Sequence, residues 1–191
     1  MHIKEKQEII DVANRLYEKN LNGGYGGNLS IRSGDIIYIT RSGIPKVNLT
    51  EKDIAIIKID GTIVEGNPSS EYKMHLYTYQ LVPSIKAILH AHPPYIMGFS
   101  INSTNIPTHL FPETAMLVGE IPIVPFFPSG SNELAQNVAG YFQKGAMAVL
   151  MEKHGITVTS RKNLWDAYYI LEAIEHVAMA YTISKIICEG G

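Results

Sequence analysis

Two histidines, His90 and His92, are the residues whose types and spacing point most directly to chemistry. They end the apolar segment 88–92, and Pro93 and Pro94 follow. Side chains alternate between the two faces of a β-strand, so both imidazoles point the same way. Two neighbouring imidazoles repel each other once protonated, whereas their neutral forms are ready ligands for a divalent metal. The pair therefore predicts a metal site at a strand end, because neither proline can donate a ladder hydrogen bond.

A third histidine and a glutamate strengthen the metal hypothesis, since a pair of histidines two residues apart is weak evidence alone. His154 follows the apolar run 146–151 and precedes Gly155, which permits a tight turn. Glu71 supplies a carboxylate at the start of a helix. Three histidines with an open or carboxylate-held fourth position are typical of a catalytic zinc site. His75 could also bind, but we interpret it as a packing or hydrogen-bonding residue because four positions are already filled.

Serines and glycines near Glu71 suggest how an anion would be held. Ser69 or Ser70 can cap the helix that carries Glu71, and the free N–H groups at a helix start attract phosphate. Four glycines lie within residues 23–27 and would let the backbone approach a ligand, although taken alone they indicate a flexible turn. A dinucleotide-binding fingerprint fits poorly, because no strand precedes these glycines and no helical pattern follows. A P-loop is also absent, since no Gly-Lys-Ser/Thr follows.

The composition is that of one folded domain. The 191 residues are 46% hydrophobic and 18% charged, which is enough for one well-buried core and short for two. The net charge is −2 without a basic block, so nothing indicates a nucleic acid or an anionic membrane as partner. Basic residues are scattered, and a phosphorylated small molecule would have to be held by local groups. The single cysteine, Cys188, excludes a disulfide within the chain.

The elements that must position these residues follow from the hydrophobic pattern. Residues 1–6 lack the apolar segment typical of a signal peptide, and no apolar run is long enough to span a bilayer, so we expect a cytoplasmic protein. Hairpin strands outnumber strand–helix–strand units, which favours one α/β domain over residues 1–191, with a mixed, largely antiparallel sheet covered by helices on both faces. Residues 102–112 are predicted as a loop. Helices are predicted at 9–17, 71–79, 95–100, 129–142 and 164–188, and strands at 29–32, 35–40, 53–60, 62–64, 86–92, 121–127, 146–151 and 156–160.

Five short motifs occur in a fixed order along nearly the whole chain. Together they resemble the class II aldolase/adducin-type domain family, and in particular those of its members that act on fuculose 1-phosphate. The resemblance implies an αβα sandwich and a homotetramer with active sites at subunit contacts. The motifs are Gly27-Asn28-Leu29-Ser30, Thr40-Arg41-Ser42-Gly43-Ile44-Pro45, Pro68-Ser69-Ser70-Glu71, His90-Ala91-His92 and His154-Gly155.

The same resemblance implies a site and a reaction. It implies one Zn²⁺ per subunit, or another divalent metal, with Glu71 as the resting fourth ligand and as the catalytic acid/base. The expected reaction is the reversible cleavage of a ketose 1-phosphate, L-fuculose 1-phosphate or a related deoxy-sugar phosphate, to dihydroxyacetone phosphate and an aldehyde through a zinc-stabilised enediolate. The expected metal ligands besides Glu71 are His90, His92 and His154, and the expected phosphate pocket is Gly27, Asn28, Ser42, Gly43, Ser69 and Ser70.

The same residues are compatible with other functions. A methylthioribulose-phosphate dehydratase or another phosphosugar lyase keeps the same glutamate and histidines, whereas the family's 4-epimerases carry an aspartate where Glu71 stands. An adducin-like binding module lacks the metal ligands, and a purely structural zinc would be closed and inert.

The sequence also departs from the family at two points. Leu110 and Phe111 stand where the family has a tyrosine after the histidine matching His109. The sequence ends at Gly191, soon after its last predicted helix, whereas the family enzyme is expected to continue into a longer tail with a proton-donating tyrosine.

Overall fold

The computed structural model describes residues 3–189, which form six α-helices and eight β-strands. Two 3-10 turns, at Glu51–Asp53 and Thr108–Leu110, lie in the connecting segments. The helices are α1 (Ile3–Glu18), α2 (Tyr72–Leu81), α3 (Pro94–Ile101), α4 (Pro112–Val118), α5 (Asn132–Gln143) and α6 (Leu164–Glu189). The strands are β1 (Asn28–Ser33), β2 (Ile36–Thr40), β3 (Ile54–Lys58), β4 (Ile63–Glu65), β5 (Ala87–Ala91), β6 (Ile123–Val124), β7 (Ala148–Met151) and β8 (Gly155–Ser160).

All eight strands belong to one sheet, in the order β4-β3-β2-β1-β5-β8-β7-β6. Every neighbouring pair is antiparallel except β6 and β7, which are parallel. The predicted mixed, largely antiparallel sheet is therefore confirmed. The two-residue strand β6 lies at one edge, in agreement with the prolines that flank it, because proline cannot donate to a ladder.

Helices cover both faces of the sheet, and β5 shows how the residues divide between them. Ala87, Leu89 and Ala91 are buried in the apolar cluster that contains α1, α3 and α6. Ile88 is buried in the opposite cluster, with α2 and α5. Because side chains alternate along a strand, His90 faces the same layer as Ile88. The result is the αβα sandwich that the resemblance implied, with His90 beneath α2.

The segment predicted as a loop contains more regular structure than the pattern indicated. The turn Thr108–Leu110 leads directly into α4, which begins at Pro112. Proline suits the first helical position because its fixed φ is already helical and its missing N–H has no partner there in any case. Seven residues are too few for hydrophobic periodicity to reveal the helix.

Within residues 3–189, no helix combines the length and the apolar composition that crossing a bilayer requires.

Candidate active site

Three histidines meet where β5 ends beside the start of β8. His90 lies in β5, His92 follows one residue after its end, and His154 lies in the turn between β7 and β8. The antiparallel pairing of β5 with β8 matches Ala91 with Ile156, which brings this turn beside the two β5 histidines. The Nε2 atoms of His90 and His92 are 3.0 Å apart. One ligand nitrogen from each of the three histidines falls within a 4.8 Å cluster, as a metal site requires.

Glu71 reaches the same point from the helical layer above the sheet. Its Oε2 lies 3.3 Å from Nε2 of His90, and its Oε1 lies 3.1 Å from Nε2 of His154. Glu71 is the N-cap residue immediately before α2, although its side chain makes no capping hydrogen bond. The expectation that Ser69 or Ser70 caps this helix was wrong, because Oγ of Ser69 instead accepts the N–H of Glu71 in a short turn. The carboxylate is thus free to face the histidines.

The protonation states suit a divalent metal. Burial lowers the pKa of His90 to about 4 and that of His92 to about 3, so both imidazoles are neutral at pH 7. Burial alone would raise the pKa of Glu71, but its contacts with His90 and His154 outweigh this and hold the pKa well below the usual value. Nδ1–H of His90 donates to the carbonyl of Ile156 at 2.9 Å, which leaves the Nε2 lone pair directed at the cluster. Neutral nitrogens beside an ionised carboxylate are the donor set that zinc prefers.

Gly155 has no side chain, and the imidazole of His92 occupies the space that a side chain there would need. A Cβ built at Gly155 would lie 2.5 Å from Cδ2 of His92 and 2.6 Å from the carbonyl oxygen of Ala91. The backbone oxygen cannot move without breaking the strand pair, so a larger residue must displace the imidazole. The glycine after His154 is therefore required by the geometry of the cluster.

We expect Gly155→Ala to weaken metal binding at least 10-fold, because the new methyl group displaces His92 from the cluster. Competition with a chromogenic chelator measures this affinity. Gly140→Ala in α5 is the matched control, since a Cβ there meets no heavy atom within 4 Å. That substitution should leave metal affinity unchanged and raise stability by about 0.5–1 kcal/mol. Equal metal affinities in the two variants would contradict the proposed packing.

A chain of buried hydrogen bonds holds Glu71 in place. Nδ2 of Asn28 donates to Oε2 of Glu71 at 2.9 Å, so Oδ1 of Asn28 must accept Nε2–H of His75 at 2.5 Å. Burial lowers the pKa of His75 to about 4, and this neutral imidazole accepts the hydroxyl of Ser30 at 2.7 Å through Nδ1. The hydroxyl groups of Ser30 and Tyr79 are 2.8 Å apart. The hydrogen-bonding interpretation of His75 is confirmed, and the chain fixes the orientation of the Asn28 amide.

A cavity of about 190 Å³ opens beside Glu71, His92 and His154. The structure brings all the residues of the expected phosphate pocket to its wall. Asn28 therefore both contacts Glu71 and lines the cavity, and its amide nitrogen carries a second hydrogen that can face a ligand. The pocket residues that line the cavity are Gly27, Asn28, Ser42, Gly43, Ser69 and Ser70.

Four residues of this wall were not among the predicted site residues: Tyr25, Gly26, Lys46 and Ser129. Oγ of Ser129 donates to Oε1 of Glu71 at 2.9 Å, so both carboxylate oxygens accept hydrogen bonds. Ser129 lies 58 residues from Glu71, and no spacing rule connects the two. Lys46 follows the turn at Ser42 and Gly43, which was already assigned to the pocket. This closeness in sequence is the one feature that could have identified Lys46 as a pocket residue.

The family of the chain follows from its match to known proteins. Residues 7–182 match the model of the class II aldolase and adducin N-terminal domain family, and the chain belongs to that family. It is a lyase of the class II aldolase type, which confirms the resemblance carried by the five motifs. Class II aldolases use a divalent metal, and the histidine cluster can hold one.

Several similar proteins are named L-fuculose phosphate aldolase. The enzyme of Methanococcus maripaludis is 40% identical over 171 residues, which are 90% of this chain and 92% of that protein. The enzyme of Escherichia coli is 33% identical over 187 residues, 97% of this chain and 86% of that protein. A solved structure of an L-fuculose 1-phosphate aldolase superposes with a TM-score of 0.88 at 35% identity, covering 96% of this chain and 87% of that one.

Proposed function

We propose that this chain is a zinc-dependent aldolase that reversibly cleaves a ketose 1-phosphate, L-fuculose 1-phosphate or a related deoxy-sugar phosphate, to dihydroxyacetone phosphate and an aldehyde. The observation that carries the proposal is the position of the histidine–glutamate cluster, which opens onto a cavity lined by serines and glycines. Such groups bind phosphate through hydroxyl and backbone N–H donors. The names of the similar proteins support the choice of substrate.

The donor set fits zinc. His90, His92 and His154 would hold the ion with Glu71 as the fourth ligand, an arrangement typical of catalytic rather than structural zinc. When bound, such a metal supplies a Lewis acid that stabilises negative charge developing on the substrate's oxygens. The remaining steps belong to the residues of the chain, which must bind the phosphate, exclude water and move protons.

Glu71 is the proposed acid/base. Cleavage of the bond between C3 and C4 of the ketose releases the aldehyde and leaves the electron pair on C3, as an enediolate. A proton delivered to C3 completes dihydroxyacetone phosphate, and in the reverse direction the same group removes it. The hydrogen bonds of Asn28 and Ser129 hold the Glu71 carboxylate, so its two oxygens keep a defined direction. As the aldehyde's carbonyl forms, the proton of the C4 hydroxyl passes to a base, which is a tyrosine or a water molecule in this proposal.

We also propose that the domain spans the whole chain, that four cytoplasmic copies assemble and that neighbouring subunits complete each site. Exposed apolar side chains support an assembly: Met116 is 89% exposed, Phe126 57% and Ile187 70%. Leu110 and Phe111, at the position of the family's tyrosine, are also exposed. Light scattering at low protein concentration tests the assembly, with a mass of four chains expected.

A product assay tests the proposed reaction. Zinc-loaded protein is supplied with fuculose, rhamnulose and ribulose 1-phosphates, and dihydroxyacetone phosphate is detected by its enzymatic reduction with NADH. We expect release of dihydroxyacetone phosphate from at least one of them. Methylthioribulose 1-phosphate serves as a separate substrate, because a dehydratase removes water from it and releases no dihydroxyacetone phosphate. Dehydration of this substrate, without cleavage of the others, would contradict the aldolase proposal.

A further inference from the structure

Lys46 is the one cationic side chain among the described residues that line the active-site cavity. Its backbone N–H donates to the carbonyl of Gly24, so this lysine joins the glycine-rich turn to the turn at Ser42 and Gly43. Both turns contribute to the wall that carries the expected phosphate ligands. Lys46 is therefore built into the pocket and is not a mobile surface side chain.

Lys46 is a largely buried residue whose ammonium group has no opposite charge beside it among residues 3–189. The residue is 6% exposed, and Nζ donates to the carbonyl oxygen of Ile44 at 2.7 Å. Within residues 3–189, its ammonium forms no ion pair with a carboxylate. Burial lowers the pKa of Lys46, since the charged form is held away from water. A buried ammonium with a single carbonyl partner is costly unless an anion joins it.

The neighbouring groups do not supply that anion. The pocket donors around Lys46 are serine hydroxyls, an asparagine amide and backbone N–H groups, all of which are neutral. Glu71 also lines the cavity, but its carboxylate faces the histidines and would repel a phosphate dianion. A phosphate bound among neutral donors and near a carboxylate therefore needs a local positive charge besides the metal.

We propose that Lys46 is the counter-charge for the substrate's phosphate group and makes the enzyme prefer phosphorylated over unphosphorylated ketoses, an assignment that rests on the proposed aldolase function. An ammonium carries three N–H donors, and Ile44 accepts one of them. The others can donate to phosphate oxygens at the wall of the cavity. A charge-assisted hydrogen bond of this kind is stronger than the neutral contacts from the serines.

Lys46→Met tests this assignment, with Lys58→Met as the matched control because Lys58 is exposed at the end of β3. Calorimetric titration measures binding of inorganic phosphate and of dihydroxyacetone phosphate to the metal-loaded protein, without turnover. Unphosphorylated dihydroxyacetone, added at high concentration, serves as the ligand that lacks the phosphate. Metal content and the melting temperature are measured on the same samples.

We expect Lys46→Met to weaken binding of both phosphate-bearing ligands at least 10-fold, with no change for dihydroxyacetone or in metal content. The melting temperature should not fall, because the variant removes a buried unpaired charge. Equal weakening for ligands with and without phosphate, unchanged binding, or a wild-type protein that binds neither phosphate ligand would overturn the assignment. A different result would reject the aldolase proposal and leave the Lys46 assignment in place. In that case Lys46→Met loses phosphate binding, but the wild-type protein cleaves none of the ketose 1-phosphates.

Discussion

Replacing Glu71 by glutamine lowers kcat at least 100-fold while one metal ion per chain stays bound. The amide has the size of the carboxylate and keeps one oxygen, but it can neither take up nor release the proton at C3. A positioned acid/base typically contributes about 100- to 10,000-fold to a rate. His90, His92 and His154 still offer three nitrogens, so the metal is retained. Steady-state kinetics and elemental analysis of the same preparation measure the two effects.

Glu133→Gln is the matched control for Glu71→Gln, because Glu133 is exposed in the first turn of α5. Its kcat should equal that of the wild type. A Glu71→Gln variant with full turnover would remove Glu71 from the mechanism. Loss of metal together with turnover would instead show that the carboxylate acts mainly as a ligand, and the proton transfer would have to be assigned elsewhere.

Replacing His92 by alanine abolishes stable metal binding and lowers turnover at least 100-fold. Loss of residues that merely orient metal ligands weakens affinity or activity by about 10- to 100-fold, so loss of a ligand itself has at least this effect. His90, His154 and Glu71 remain, but Glu71 must leave the ion to act as acid/base, so only two nitrogens would hold the ion during turnover. Metal content after dialysis and turnover at rising zinc concentration are the measurements, and excess zinc should restore part of the activity.

The control for His92→Ala is His176→Ala, since His176 lies exposed on α6. It should keep both metal and activity. A second check treats the wild type with a chelator and then adds zinc back. Full turnover by chelated protein, or full metal content in His92→Ala, would contradict the proposed metal centre.

Much of the centre could be predicted because it depends on local rules. Strand alternation places His90 and His92 on one side, and the prolines after them end the strand. The turn with His154 could be located from the apolar runs on either side of it. Its approach to the other histidines, however, depends on the pairing of β8 with β5, which joins distant segments. The resemblance to the family already implied that His154 joins His90 and His92 in one metal site.

The parts that escaped prediction depend on packing between layers. Ser129 contacts Glu71 only because the segment before α5 lies beside the start of α2. The buried chain through His75, Asn28 and Ser30 requires α2 to lie over β1, which no short pattern shows. Helix α4 was missed because it is short. Lys46 was counted among scattered basic residues, and only its burial distinguishes it.

Deuterium exchange into dihydroxyacetone phosphate is the most direct test of the proposed aldolase reaction. Zinc-loaded protein is incubated with this compound in heavy water, and proton NMR follows the hydroxymethyl carbon. The half-reaction needs the phosphate pocket, the metal and Glu71 together, and it needs no aldehyde. We expect that one of the two hydrogens exchanges stereospecifically and that Glu71→Gln slows the exchange at least 100-fold. No exchange by the metal-loaded wild type would contradict the aldolase account and favour another phosphosugar lyase.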